Sequence, residues 1–183
     1  MRRLVVWNLM TLDGYFEGRN PWDLGFHETV WGDELRAFSL EQGKEIGTLL
    51  FGRRTYEGMA GHWTTATGAV ADMMNSVEKA VATRTLDEAT WNNTRLLKGD
   101  AVEAVRRLKA EDGKDIYVIG SADLLASLLA ARLVDEYRVC VAPVVLGGGN
   151  PLFKPQDQQV KMRLESARPL KTGGVILTYA VGG

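Results

Sequence analysis

The sequence has a single cysteine and only two histidines among its 183 residues. Cys140 alone excludes an intrachain disulfide and a cysteine-rich zinc site. It lies inside an apolar strand pattern and reads as core. His27 and His62 fall in no metal-ligand spacing, so no metal is expected, and both read as loop or surface residues. No charge of one sign dominates: 22 basic residues face 23 acidic ones, leaving no basic field for a nucleic-acid backbone. No apolar run approaches the roughly 18 residues that span a bilayer. The opening MRRLVVWNLMTLDG has two arginines and a short apolar run, but Asn8, Asp13 and Gly14 interrupt it, unlike a signal peptide. The cytoplasm is the expected compartment. The glycine fingerprints of the common dinucleotide fold and of the P-loop are also missing after the first strand.

What is present is an ordinary globular composition at a length suited to one domain, residues 1–183. Leu4 to Trp7 reads as a buried strand closed by the turn Asp13-Gly14. Residues 15–29 look irregular. Thr29 to Glu45 has helical spacing, with Val30, Leu35, Phe38 and Leu40 apolar. Thr48 to Phe51 predicts a second strand, and Arg53 to Met59 the start of a helix. Further strands are expected over Glu78 to Thr83 and Thr94 to Leu97, then a helix over Ala101 to Ala110. A strand over Asp115 to Ile119 leads to a helix over Ala122 to Ala131. A long strand runs from Val134 to Ala142, and Pro143 to Asn150 forms a glycine-rich loop. Lys161 to Leu170 and Val175 to Val181, split by Gly173-Gly174, predict a hairpin. Alternating strands and helices imply a mostly parallel sheet with helices on its faces, and the hairpin adds antiparallel strands at one edge.

Ligands of such sheets bind at the carboxyl ends of the strands, so the residues that follow each strand are the candidates. Gly52-Arg53-Arg54-Thr55 puts two guanidiniums and a hydroxyl at a helix N-terminus, where free N–H groups favour an anion. A solvated basic turn with Thr55 as cap is the plain alternative. Gly120-Ser121 opens a second helix; glycine admits a phosphate to the backbone, and a serine N-cap is the plain alternative. The two junctions together suit a pyrophosphate, and Thr83-Arg84 adds a cationic point for a 2′-phosphate. Trp22, Trp31 and Trp63 lie near these loops and could wall a flat ring, while core packing is the default for each.

These junctions, in this order, resemble the dihydrofolate-reductase-like superfamily, and within it the reductase domain of the bifunctional deaminase-reductase of riboflavin biosynthesis. The resemblance spans about Arg3 to Tyr179. Its carriers are TLDGYFEG at 11–18, LLFGRRTYEGM at 49–59, IYVIGSADLLASLL at 116–129 and VDEYRVCVAPVVLGGGNPLF at 134–153. The resemblance implies NADPH. On it, Gly52, Arg53, Arg54 and Thr55 would meet the cofactor phosphates, and Thr83 and Arg84 would flank the adenosine end. Gly120, Ser121, Ala122, Asp123 and Leu124 would cradle the pyrophosphate. Asn8, Thr11 and Gly14 would lie near the nicotinamide, with Gly147 to Asn150, including Gly148, close by.

Two departures bear on substrate. Ile119 stands where the riboflavin branch usually has a glutamate, and Ser121 replaces its second glycine. Classical dihydrofolate reductases carry a carboxylate shortly after a Pro-Trp element; Pro21-Trp22 is present, but His27 stands near that position, with Asp23 and Glu28 beside it. The resemblance therefore implies hydride transfer from NADPH to a small pteridine-, pyrimidine- or ribosylaminopyrimidine-like ring, with Asp13, Asp23 and Glu28 as candidate proton donors. The alternatives are the riboflavin-pathway uracil reductase itself and a non-catalytic protein that binds or senses NADPH. A homodimer is expected, with the apolar run Tyr137 to Val145 available for pairing across a two-fold axis.

Overall fold

The computed structural model describes residues 1–182. The chain opens with β1 (Leu4–Thr11) and a short β2 (Tyr15–Glu17), then a 3-10 turn over Gly25–Thr29 and helix α1 (Asp33–Gly43). Strand β3 (Ile46–Gly52) leads to α2 (Arg53–Trp63) and α3 (Ala69–Ser76). Next come β4 (Glu78–Thr83), β5 (Thr94–Lys98), α4 (Ala101–Ala110), β6 (Asp115–Ile119) and α5 (Ala122–Ala130). Strand β7 (Glu136–Ala142), a two-residue β8 (Asn150–Pro151), β9 (Met162–Pro169) and β10 (Val175–Val181) complete it.

Eight strands form one sheet in the order β5-β4-β3-β6-β1-β7-β10-β9. The first six positions are parallel, and β10 and β9 run antiparallel at one end. The expected α/β architecture, with a mostly parallel sheet, flanking helices and a closing antiparallel hairpin, is what the chain adopts. Each inner strand is apolar on both faces because both faces are covered. In β1, Val5 and Trp7 enter one core while Leu4 and Val6 enter the other. Leu35, Tyr56, Ala60 and Met74 of α1 to α3 close the first core; Val105, Leu108, Leu125 and Leu128 of α4 and α5 close the second. Each such side chain contributes roughly 1.5–3 kcal/mol by leaving water.

The structure corrects several expectations. The helix expected from Thr29 starts at Asp33, because Thr29 closes the 3-10 turn by donating its hydroxyl to Phe26 O at 2.7 Å. The segment expected to be irregular contains β2, which pairs with β8 across the glycine loop. The strand expected from Val134 starts at Glu136; Leu133 and Val134 are buried in the preceding turn. Helix α3 was not anticipated. Both edges of β7 are occupied, by β1 and β10, so the run from Tyr137 has no free edge for a second copy; the sheet's edge strands are β5 and β9. Among the described residues, no helix is long and apolar enough to cross a membrane, and no cluster of His, Cys, Asp and Glu could hold a metal ion.

Candidate functional site

The carboxyl ends of β1, β3 and β6 open into a cleft of about 390 Å³. Its floor is strand: Trp7, Asn8 and Leu9 of β1 and Ile119 of β6. One wall consists of the two strand-to-helix junctions, Gly52 to Thr55 and Gly120 to Leu124. The opposite wall comes from the segment 16–27 and Asn150.

The junctions are latched to each other. Ser121 Oγ accepts from Gly52 N at 2.8 Å, and Ser121 N donates to Thr55 Oγ1 at 3.1 Å. Neither hydroxyl is therefore spent as a helix cap, and no side chain caps α2 or α5. This overturns the alternative in which Thr55 and Ser121 were caps. The first-turn N–H groups of two helices face the cleft side by side, a donor array for an anion. Gly120 makes the approach possible: its φ is +63°, and a Cβ there would lie 2.9 Å from Thr55 Cγ2. Ser121 itself sits in the left-handed region, at φ 59°.

The charges on this wall are unevenly used. Arg53 pairs with Glu57 one turn on, at 3.0 Å. Arg54 lines the cleft, is exposed, and has no ion-pair partner among the described residues. Arg84 is exposed at the end of β4, the neighbour of β3, while Thr83 is buried and its Oγ1 accepts from Thr85 N and Leu86 N. Both lie beyond the residues that line the cleft. On the floor, Asn8 Oδ1 accepts from Gly120 N at 2.8 Å, and its buried Nδ2 has no partner.

The opposite wall brings Glu17 and His27, neither a candidate from the sequence, beside Trp22, one of the three tryptophans expected to wall a flat ring. Glu17 lines the cleft, accepting from Asn150 Nδ2 and from Trp22 N, each at 3.0 Å. Trp22 has φ 65°, a strained value for a bulky residue, and its indole lies against the bare backbone of α2 at Gly58, where a Cβ would collide with the ring. It thus bridges the two walls. His27, expected at the surface, lines the cleft from the 3-10 turn; burial lowers its pKa to about 4, so the imidazole is neutral at physiological pH. Trp31 and Trp63, considered alongside Trp22, are not in the lining.

The three carboxylates considered first lie outside the lining. Asp13 accepts from Thr11 Oγ1 at 2.7 Å, Gly147 N at 2.8 Å and Leu146 N at 3.1 Å. Chiefly the Thr11 bond, together with these backbone donors, holds its pKa down at about 2. It clamps the glycine loop to the end of β1 and stays ionised. Thr11 Oγ1 also accepts from Tyr15 N, which, with Gly14 at φ 92°, shapes the turn into β2. Asp23 and Glu28 are exposed. Gly147 and Gly148 belong to the clamped loop and do not line the cleft. A local clue to Glu17 existed in TLDGYFEG; Asn150 reaches it only through the β2–β8 pairing.

Comparison with known proteins agrees with this architecture. The family model of the RibD C-terminal domain matches residues 2–176. The chain is similar to two proteins of Bacillus subtilis (strain 168): the uncharacterized protein YyaP, 29% identical over 100% of this chain and 96% of the relative, and the uncharacterized protein YwjB, 26% identical over 91% of each. A putative riboflavin biosynthesis protein from Shewanella sp. PV-4 shares the fold with a TM-score of 0.80 at 21% identity, over 99% of both chains. A diaminohydroxyphosphoribosylaminopyrimidine deaminase/5-amino-6-(5-phosphoribosylamino)uracil reductase from Thermotoga maritima matches with a TM-score of 0.69 at 13% identity. That match covers 99% of this chain and 57% of the Thermotoga chain.

Proposed function

The chain belongs to the RibD C-terminal domain family, and from that membership and the cleft we propose that it is an NADPH-dependent reductase of a small pyrimidine- or pteridine-like ring. The observation that carries this reading is the latched pair of uncapped helix N-termini, with Arg54 free beside them. The residues present fit the cofactor. The N–H groups opening α2 and α5 suit the pyrophosphate, with Arg53, Arg54 and Thr55 on one side and Ser121 to Leu124 on the other. Thr83 and Arg84 stand where β4 ends beside β3, which suits the adenosine 2′-phosphate. NADPH bound there would supply the hydride.

The chain's own groups do the rest. Trp22 narrows the cleft over the floor and limits water. Glu17 is the carboxylate of the inner wall; its two internal bonds fix its direction while each oxygen keeps a lone pair for a substrate N–H or for a water that passes a proton. Neutral His27 offers a hydrogen bond without a charge. Ile119 gives the floor an apolar side chain where the riboflavin branch has a glutamate, which favours a substrate other than the ribosylaminopyrimidine of that pathway.

The test is oxidation of NADPH against a panel of pteridines, pyrimidinediones and ribosylaminopyrimidines. Turnover of a ring substrate, reduced sharply in Glu17→Gln, supports the reading. NADPH binding without turnover of any of them would replace it with a sensing role.

A further inference from the structure

Asn8 lines the cleft at its strand floor and is only 5% exposed. Its amide is oriented by chemistry. Gly120 N can only donate, so the atom 2.8 Å away is the side-chain oxygen, Oδ1. The nitrogen, Nδ2, then has two protons to give and no partner. A buried unmade donor costs on the order of 1–3 kcal/mol. At Asn8 the backbone of β1 pairs with Val139 of β7, and the register with β6 ends one residue earlier, at Trp7, so the amide sits where the β1–β6 ladder opens into the cleft. The same bond that fixes the amide also belongs to the junction that carries the phosphate wall, so the orphaned donor and the anion cradle are built as one piece.

Other buried polar atoms without partners differ in setting. Tyr137 Oη is packed within the second core, and Gln42 Oε1 belongs to α1 near the opposite end of the strands. Asn8 alone of these lines the cleft. A donor in this place calls for an acceptor on the ligand. Side chains alternate along β1, so Asn8 shares the face of Leu4 and Val6; the apolar lining residues packed on that side are Phe16 and Leu124, which suit a flat ring. We propose that Asn8 Nδ2 is the receptor for a carbonyl oxygen carried on a planar ring bound on the cleft floor, which rests on the reductase reading above. Two rings could bring such an oxygen: the nicotinamide, through its carboxamide, or a substrate, through a lactam carbonyl. Asn8 therefore selects the oxo form of the ring at that position over the amino form, because an amino group would set donor against donor.

The discriminating variant is Asn8→Asp. It keeps an oxygen for Gly120 N and puts an acceptor where the donor was. NADPH is titrated calorimetrically into wild type and variant, and uracil and cytosine are then titrated into each NADPH complex. If the carboxamide is the partner, Asn8→Asp weakens NADPH alone about tenfold or more at neutral pH. If the substrate carbonyl is the partner, NADPH affinity holds, wild type prefers uracil to cytosine, and the variant loses or reverses that preference. Either loss should recover as pH falls and the new carboxyl becomes protonated, a recovery that mere disruption of the strand would not give.

The thionicotinamide analogue of NADPH and 4-thiouracil, titrated into the wild type, make the same comparison without a substitution. Sulfur accepts poorly, so the ligand that meets Asn8 should lose affinity on thionation. Unchanged NADPH binding and unchanged ring preference in the variant, with neither thio ligand weakened, overturn the assignment. Wild-type protein that fails to bind NADPH at all overturns the reductase reading instead.

Discussion

The two ends of the parallel strands use the same residue types in opposite ways. At the amino ends, charged side chains have partners. Arg3 bonds Asp115 and Glu136, Arg138 bonds Glu136 and Glu45, and Tyr117 Oη donates to the same Glu45. Arg2 donates to Lys114 O and to Thr48 Oγ1, and Thr48 donates on to Glu78. Wholly buried Lys79 gives two bonds to the carbonyls of Met74 and Asn75 and lies 4.6 Å from the centre of the Trp91 ring. At the carboxyl ends, by contrast, Arg54 is free, α2 and α5 are uncapped, and Asn8 holds an unused donor. Among the five α-helices only α4 has a side-chain cap, Asp100 Oδ1 at 2.9 Å from Glu103 N; α1 and α3 lack one too, behind glycine N-caps. What sets α2 and α5 apart is that the Ser121–Gly52 and Ser121–Thr55 bonds hold their uncapped starts together at the cleft.

The contrast predicts that stability and binding separate by edge. The largest effect belongs to Arg138→Met, which leaves Glu45 and Glu136 short of a partner in a half-buried network. It should lose about 3 kcal/mol in denaturant unfolding while NADPH affinity in the folded protein stays within twofold. A comparable change in affinity would break the separation.

His27 gives a pH effect of similar size. Its folded pKa is about 4 against 6.5 when exposed, so only the unfolded chain takes up a proton between those values. Stability is full above about pH 6.5 and falls by roughly 3 kcal/mol as pH drops to 4. Unfolding midpoints of wild type and His27→Gln across this range should converge towards low pH; parallel curves would show His27 to be solvated.

Gly120→Ala comes next. A Cβ 2.9 Å from Thr55 at φ +63° should cost about 2 kcal/mol of stability and also weaken NADPH, since the cradle must shift. Gly47→Ala at the other edge, with a Cβ 2.8 Å from Lys114 O, should lose stability alone. Arg54→Gln should do the reverse, lowering NADPH affinity about tenfold with the melting temperature of the free protein unchanged. The smallest change is Asp100→Ala, about 1 kcal/mol from a lost cap and nothing in binding.

How much of this was legible in the sequence follows from distance along the chain. The strands and most helices announce themselves in local apolar spacing, and the Gly52 and Gly120 junctions in local turn chemistry. The latch between them could not be read, because Ser121 and Thr55 are brought together only by the parallel pairing of β3 with β6. Glu17, Trp22 and Asn150 form one wall from segments joined through β2 and β8, which pair only two residue positions. His27 looked like a loop residue because a one-turn 3-10 segment has no periodicity to reveal its buried side. Asp13 drew attention as an acid by its place after β1, whereas its three donors make it a clamp.

If the open carboxyl edge is a nucleotide cradle, NADPH must protect its amides from hydrogen exchange. Exchange should slow at Arg53 to Thr55 and Ala122 to Leu124, and stay unchanged at the capped start of α4 and along the amino edge. Protection at the α4 cap or around Arg3 and Arg138, with the amides opening α2 and α5 unchanged, would contradict it.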